Sequence, residues 1–548
     1  MLSKSYRCTN LLGGGLWPCT RERAAFRSQG QAAPLPPFSC LIGVALMRCH
    51  RARSLARGLL AAATASLLAV FLMVPAAPAP AADAAAAVAS PESLPTVQVN
   101  GVVWDQEVVG STVYAVGSFD AARPAGSPEG QEEVPRANAL AYDITTGELL
   151  DWAPTLNGAV NAVVASADGS TVYLGGSFTS LNGETTWRVG AVEAGTAARR
   201  PVAASANATV RDLAVSPDGA TLYIGGDFTQ VNSSARQRVA AVDLVTQSLT
   251  DFAPKVSNYG VRAVAVSSDG QSVAIGGSFT KVNGSSRPGE GMAVLETDGT
   301  LRRNQISSVV SNSGDRSGIM SLEADAQGLY AVSYSREGEF EGMLRADWDT
   351  GEITLMADCH GDSYDVYPAG DVVYVAGHTH DCSNIGGFAD LDNDYRHAVA
   401  YAASPSGTVQ RNRVPGYVSY EGNPATTLLD GFLPQFQIGS YTGTNQATWT
   451  VEGNDDYVVY GGEFLSVNGT AQQGLVRFAV HGDAGAGGVD GDDAAADDGD
   501  DGNDEDDGKD GRDNDQGDDE GDDDDEDEGD DEDEDEDDEA GRGRGGRR

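Results

Sequence analysis

TVYLGGSFTSLNG, Thr171–Gly183, reads as an apolar strand running into two glycines, a phenylalanine and an Asn-Gly turn. TLYIGGDFTQVNS begins at Thr221, SVAIGGSFTKVNG at Ser272, YVVYGGEFLSVNG at Tyr457, and a shorter TVYAVGSF at Thr112. Aligned on the aromatic residue, the copies fall at Phe119, Phe178, Phe228, Phe279 and Phe464; weaker copies place Ser335 and Thr379 at the same position. A period of about fifty residues indicates a solenoid, a propeller or an array.

The flanks choose among these. An alternating apolar segment precedes each block, as at Val160–Ala165, Val210–Val215 and Val261–Val266, and SADG, SPDG or SSDG follows it, the chemistry of a hairpin. A third strand comes after the Asn turn (RVGAVEA, RVAAVDL, GLVRFAV), and LLDWAP or LTDFAP marks a fourth. No span between Pro95 and His481 has a convincing helical period. Seven repeats of four short antiparallel strands predict an all-β chain folded as a single seven-bladed β-propeller over 93–481, because each small sheet must bury its faces on the next. The glycine pairs Gly175/Gly176, Gly225/Gly226, Gly276/Gly277 and Gly461/Gly462 are expected to let neighbouring sheets approach, with the phenylalanines filling the wedge. This motif is therefore packing rather than chemistry.

The last repeat ends at its third strand, and SLPTVQV, Ser93–Val99, stands unassigned before the first. It is expected to complete the last sheet and close the ring by an N-terminal strand, removing an exposed edge. Two inserts interrupt the rhythm, at 121–136 and about 413–445, and long loops on a rigid scaffold are where specificity usually resides.

The ends differ in composition. From Met47, basic residues between Arg48 and Arg57 precede an apolar run to about Val74 and then small residues, the order of a secretory signal over 47–81 cleaved after Ala81, followed by a linker at 82–92. Residues 1–46 have no place in such a signal, and translation is expected to start at Met47. Residues 482–548 carry 35 acidic residues against 6 basic ones and predict a disordered acidic tail with a basic tip. The chain's net charge of −46 argues against nucleic acid as a partner. Cys359 and Cys382 are the two cysteines beyond the signal, and export predicts that they pair. The mature chain is read as secreted, extracellular or held at the cell surface, monomeric, and without a membrane span once the signal is removed.

The pattern VYxGGxFTxxNG, with its Arg-led third strand and W/F-A-P ending, resembles the bacterial delta-60-like β-propeller repeat, a domain of unknown function. ARPAG, CHGDSYDVYPAGDVVYVAGHTHDCSNIGGF, YTGTNQATW, GGEFLSVNG and QQGLVRFA resemble segments of a group of secreted actinobacterial proteins. The resemblance covers about 95–481 and implies fold and export; it brings no reaction that can be carried onto these residues.

Chemistry concentrates between Cys359 and His397. His360, His378 and His380 raise a metal hypothesis, since His-x-His on a strand turns two rings to one side, with Asp358, Asp362 and Asp381 nearby. Overlaying Tyr374 on Tyr173 opposes His360 to Thr379, away from the other two rings, and brings Cys359 within about two positions of Cys382, which favours a hydrogen-bonded, disulfide-braced corner. Asp105/Glu107 reads as a solvated pair. Asp390, Asp392 and Asp394 alternate like a calcium loop but lack its glycine and its closing carboxylate. No cofactor is expected, with a transition metal or calcium as the exceptions considered. The leading functional reading is an extracellular binding module for a glycan, a peptide or a cell-wall polymer, not an enzyme. The alternatives are a metal-dependent oxidase or hydrolase centred on the histidines, and a purely structural surface protein.

Overall fold

The structure, a computed structural model, describes residues 87–480 apart from 309–313, 337 and 390–394. The readings of 1–46, of the signal at 47–81, of the start of the linker, of the tail at 482–548 and of Asp390, Asp392 and Asp394 lie outside the described residues. Within them the chain is all-β, with antiparallel sheets and short 3-10 turns, and no helix is long and apolar enough to cross a membrane.

Among the described residues, seven sheets share one plan. Their first strands are Val102–Val109, Val160–Ala165, Val210–Val215, Val261–Val266, Ser317–Ala324, Ser363–Ala369 and Thr448–Gly453. Each pairs antiparallel with a second strand, and that with a third; the second strand carries the repeated motif except in the fifth and sixth sheets, where only its weaker copies stand. The predicted fourth strand is mostly reduced: two residues at Arg199–Arg200 and Ser248–Leu249, and single bridges at Tyr142/Leu149, Leu295/Leu301 and Tyr401/Leu428. The WAP and FAP segments explain this. Pro154 and Pro254 have no N–H to give a ladder, and the chain leaves the sheet so that Trp152 and Phe252 pack edge-on against Tyr114 and Tyr223.

The repeated glycines act as expected. A Cβ on Gly175 would lie 2.7 Å from Val210, on Gly225 2.8 Å from Val264, and on Gly276 2.5 Å from Ile319, each a side chain of the next sheet's first strand. The second glycine of each pair faces its own sheet: a Cβ on Gly176, Gly226, Gly277 or Gly462 would meet the carbonyl that leads into the first strand. Phe178, Phe228, Phe279 and Phe464 are wholly buried and Phe119 nearly so. The cores lie between successive sheets: Tyr114 and Val116 pack with Leu174 and Phe178, Tyr173 and Val189 with Ile224 and Phe228, and Val459 and Leu475 of the last sheet with Val103 and Phe119 of the first.

The amino-terminal segment joins the last sheet. Ser93–Leu94 pairs antiparallel with Leu475–Ala479, Ser93 opposite Phe478 and Leu94 opposite Arg477. Buried Arg477 locks the seam, donating to the carbonyls of Pro95 and Ile144. The insert at 121–136 is drawn into this seam rather than left as a specificity loop: Ala121–Arg123 pairs with Gln98–Val99, and buried Arg123 donates to Gln98 and, at 2.7 Å, to Gln473. The second insert is also folded in. Pro424–Ala425 pairs with Gly407–Thr408 and runs parallel to Met356 of the fifth sheet, and Phe432 is fully buried.

Candidate functional site

Each first strand carries a β-bulge at the same place. The register slips between Val103 and Asp105, Val160 and Ala162, Val210 and Asp212, Val261 and Ala263, Ile319 and Ser321, Ser363 and Asp365, and Thr448 and Thr450. The seven residues left without a partner are Trp104, Asn161, Arg211, Arg262, Met320, Tyr364 and Trp449. A bulge re-aims the side chain it carries, and all seven line one cavity of about 560 Å³. The first strands lie side by side in sequence order around it, and Thr448–Gly453 lies beside Val102–Val109.

The bulge residues divide by chemistry. Trp104, Trp449 and Tyr364 form an aromatic arc, Trp104 edge-on to Trp449 at 5.1 Å and Tyr364 at 4.3 Å from it. Buried Glu463 fixes this arc, accepting from the Trp449 indole N–H at 3.2 Å and from the Thr442 backbone N–H at 2.8 Å. Opposite in chain order stand two cations. Arg211 is bonded to both carboxylate oxygens of Asp227, and Arg262 lies over the Tyr334 ring at 5.4 Å.

One residue beyond the bulges, Asp105, Asp212 and Asp365 staple neighbouring strands. A first strand has a partner on one edge only, so the N–H groups of its other edge need acceptors. Asp105 accepts from Val163 N at 2.8 Å, Asp212 from Val264 N at 2.6 Å and Asp365 from Val451 N at 2.9 Å, and each second oxygen takes the N–H of the following residue in its own strand. Two residues further, Glu107, Glu323 and Glu452 line the same cavity. Glu107 accepts from Ala165 N at 3.1 Å and Glu452 only weakly from Gly453 N at 3.3 Å; among the described residues Glu323 has no hydrogen-bond partner.

Crowding acids into a cavity makes them hold protons. Burial pushes the carboxyls of Glu107 and Asp212 up to about 7. Burial and then repulsion, from Asp365 on Asp105 and Glu323 and from Glu323 on Glu452, hold those three well above the ordinary carboxylate range. Asp105/Glu107, read from sequence as a solvated pair, is instead a staple and a cavity wall.

The histidine-rich corner adjoins the aromatic arc. Tyr364 donates to Asp362 at 3.0 Å, and Gln446 donates to the Tyr364 hydroxyl at 3.0 Å and touches His378 Nδ1. Among the described residues no group of three His, Cys, Asp or Glu side chains is placed to hold a metal ion, so His360, His378 and His380 are not gathered into the centre that the metal hypothesis required. Their rings spread: His378 and His380 lie 6.5 Å apart, and His360 lies 6.3 Å from His380, stacked on Tyr417 at 3.9 Å. The expected oxygen ligands are otherwise engaged, Asp358 with Asn384 and Asp381 with Ser383 N. Cys359 and Cys382 form the disulfide.

The expected register of this corner needs correction. His360 bridges Asp381, not Thr379. The sixth sheet's first hairpin turns tightly at Gly370, with Ala369 opposite Val372, whereas the second sheet spends a longer turn between Ala165 and Val172. Carrying the longer turn across displaces the pairing by two residues, which leaves each side chain on its expected face. It also places Cys359 directly opposite Cys382, one residue along from the bridge.

The bulge ring was missed in the sequence, although a signal exists. Superposing the repeats on their first strands gives VWDQ, VNAV, VRDL, VRAV, IMSL, SYDV and TWTV. The second position takes Trp, Asn, Arg, Arg, Met, Tyr and Trp, whereas the first stays Val, Ile, Ser or Thr and the third alternates between Asp and a small residue. No family model and no curated protein matches the chain. Among solved structures it is similar to the computationally designed Ika8 protein, at 15% identity and a TM-score of 0.36, over 71% of this chain and 99% of that one; a likeness at that level carries no argument.

Proposed function

We propose that this is an exported recognition module whose seven like sheets are the blades of a closed propeller, related to the delta-60-like repeats its sequence resembles, and that it binds its extracellular ligand at the mouth of the central cavity. The observation that carries the reading is the ring of bulges: seven side chains, three aromatic, two cationic, one amide and one thioether, held by seven like scaffolds and aimed at one opening. Packing favours the same residue from repeat to repeat, as Gly-Gly-x-Phe recurs in sheets two, three, four and seven, whereas recognition favours varied ones. Side-by-side first strands, the contact of the last with the first, and the strand shared across the seam support the closed arrangement. The signal-like segment and the disulfide support export. Fold alone names no ligand; an arc of rings facing two guanidiniums above acids suits a polar, partly apolar ligand such as a glycan, a peptide or a wall polymer.

The test is an array of glycans, peptides and envelope polymers probed with the mature chain. Trp104→Ala and Arg211→Ala should each abolish the hits without lowering the melting temperature. An array without hits, or hits indifferent to both substitutions, overturns the reading.

One observation favours a second reading, a hydrolase. Burial holds the Glu107 carboxyl up to about 7, and burial with repulsion holds Glu323 and Glu452 well above the ordinary carboxylate range inside the same cavity, and carboxyls raised in this way serve as general acids. Release of new reducing or carboxyl ends from an array ligand, lost in Glu323→Gln with binding retained, would establish it.

A further inference from the structure

The aromatic arc does not stop at the cavity. Tyr364 lies 6.4 Å from His378, His378 lies 5.2 Å from Tyr395, and Tyr395 lies 5.6 Å from His380. Trp104, Trp449, Tyr364, His378, Tyr395 and His380 therefore make an unbroken strip of rings, each partly open to solvent, running from the mouth out across the sixth sheet. Beyond it, buried His360 stacked under Tyr417 and the Cys359–Cys382 disulfide brace the strand ends that carry the strip.

We infer that this strip is the track of a linear glycan whose end enters the cavity. The inference rests on the proposal that the mouth binds ligand, and adds the chemical class and the path. Rings in series offer flat apolar faces and little else, so they suit a polymer with a repeating C–H face. Acceptors stand beside them. The Gln446 side-chain oxygen is buried and has no hydrogen-bond partner among the described residues, although its amide nitrogen lies between Tyr364 and His378; an unmatched buried acceptor of this kind waits for a donor. The Asp362 carboxylate lies beside the strip, bonded to the Tyr364 hydroxyl, and Glu323 lines the cavity that the strip leaves. A hydroxyl-rich chain supplies apolar faces and many donors together. A proline-rich peptide, which also favours aromatic tracks, brings few N–H groups to these acceptors.

The experiment is titration calorimetry of the mature chain with two panels: linear neutral oligosaccharides of two to six units, and proline-rich peptides of similar length. Quenching of Trp104 and Trp449 fluorescence serves as the second readout. At least one oligosaccharide series should bind, more tightly with length up to the span of the strip. His378→Ala and Tyr395→Ala should weaken the longest member about tenfold, by analogy with the loss of one stacking partner, while Tyr395→Phe restores binding and shows that the loss is not misfolding. Binding abolished by Arg211→Ala but indifferent to His378→Ala and Tyr395→Ala overturns the track and leaves recognition at the mouth standing. Binding of peptides alone does the same. Failure of both panels and of the array removes both proposals.

Discussion

Sheets two to four and sheets five and six hold together by different means. In the former, Gly-Gly-x-Phe does the packing: the glycines admit the neighbour's Val210, Val264 and Ile319, and Phe178, Phe228 and Phe279 fill the space. In the latter the motif is gone. Ser335 and Thr379 stand where phenylalanine would; buried Arg345 of the fifth sheet donates to the Ala403 carbonyl just past the sixth, the inserted strand Pro424–Ala425 lies along the fifth, and the Cys359–Cys382 disulfide staples the base of the sixth hairpin. A repeat freed from the common packing rule gains room for other residues, and the histidines, Tyr364, Tyr395 and the buried acids Glu341 and Asp358 all gather there.

This contrast can be attacked at several points. Phe228→Ala removes a fully buried ring from a regular sheet and should cost about 4 kcal/mol in urea unfolding; Ser335→Ala should cost far less, and equal costs would mean the motif is not the packing device. Replacing both Cys359 and Cys382 by serine should cost about 3 kcal/mol through loop closure and spread hydrogen-exchange protection loss through sheets five and six, leaving sheets two to four protected.

Glu107 tests the cavity. Its folded carboxyl sits at about 7 against an ordinary 4.5, so the folded state favours the protonated form. That contribution is complete below the ordinary value and is lost as pH rises toward 7. Glu107→Gln, neutral throughout and able to accept from Ala165, should match the parent at about pH 4 and exceed it by about 3 kcal/mol at about pH 8. A parent chain equally stable at both would place Glu107 in solvent. Trp187, exposed on an outer hairpin with Arg188 over its ring, should tolerate alanine within about 0.5 kcal/mol and leave ligand binding unchanged.

Much of this was legible in the sequence for physical reasons. Alternation marked the first strands at Val160–Ala165, Val210–Val215 and Val261–Val266 because one face of each is buried, and the structure has them at those bounds. Of the lone segment Ser93–Val99, Ser93–Leu94 completes the last sheet, whose repeat lacked a strand, whereas Gln98–Val99 pairs with Ala121–Arg123 instead. The bulges were invisible because a single extra residue shifts alternation without abolishing it, so Trp104 and Arg211 looked like ordinary strand positions. The cavity acids were misread because Asp and Glu in an acidic chain give no local sign that they face one another across sheets. The sixth hairpin failed by transfer, its turn at Gly370 being shorter than that of the repeat it was laid upon. Both inserts looked like free loops, and only tertiary pairing, at Gln98 and at Met356, shows them folded.

The seam has a temporal meaning. Ser93 and Leu94 leave the ribosome some four hundred residues ahead of their partners Phe478 and Arg477. Until those partners arrive, the leading strand has nothing to pair with and the sheet that awaits it does not exist. Delivery of the whole polypeptide is thus a precondition for the finished molecule, and a chain truncated anywhere before Leu475 would keep a sticky, unsatisfied end that the cell's quality control can read.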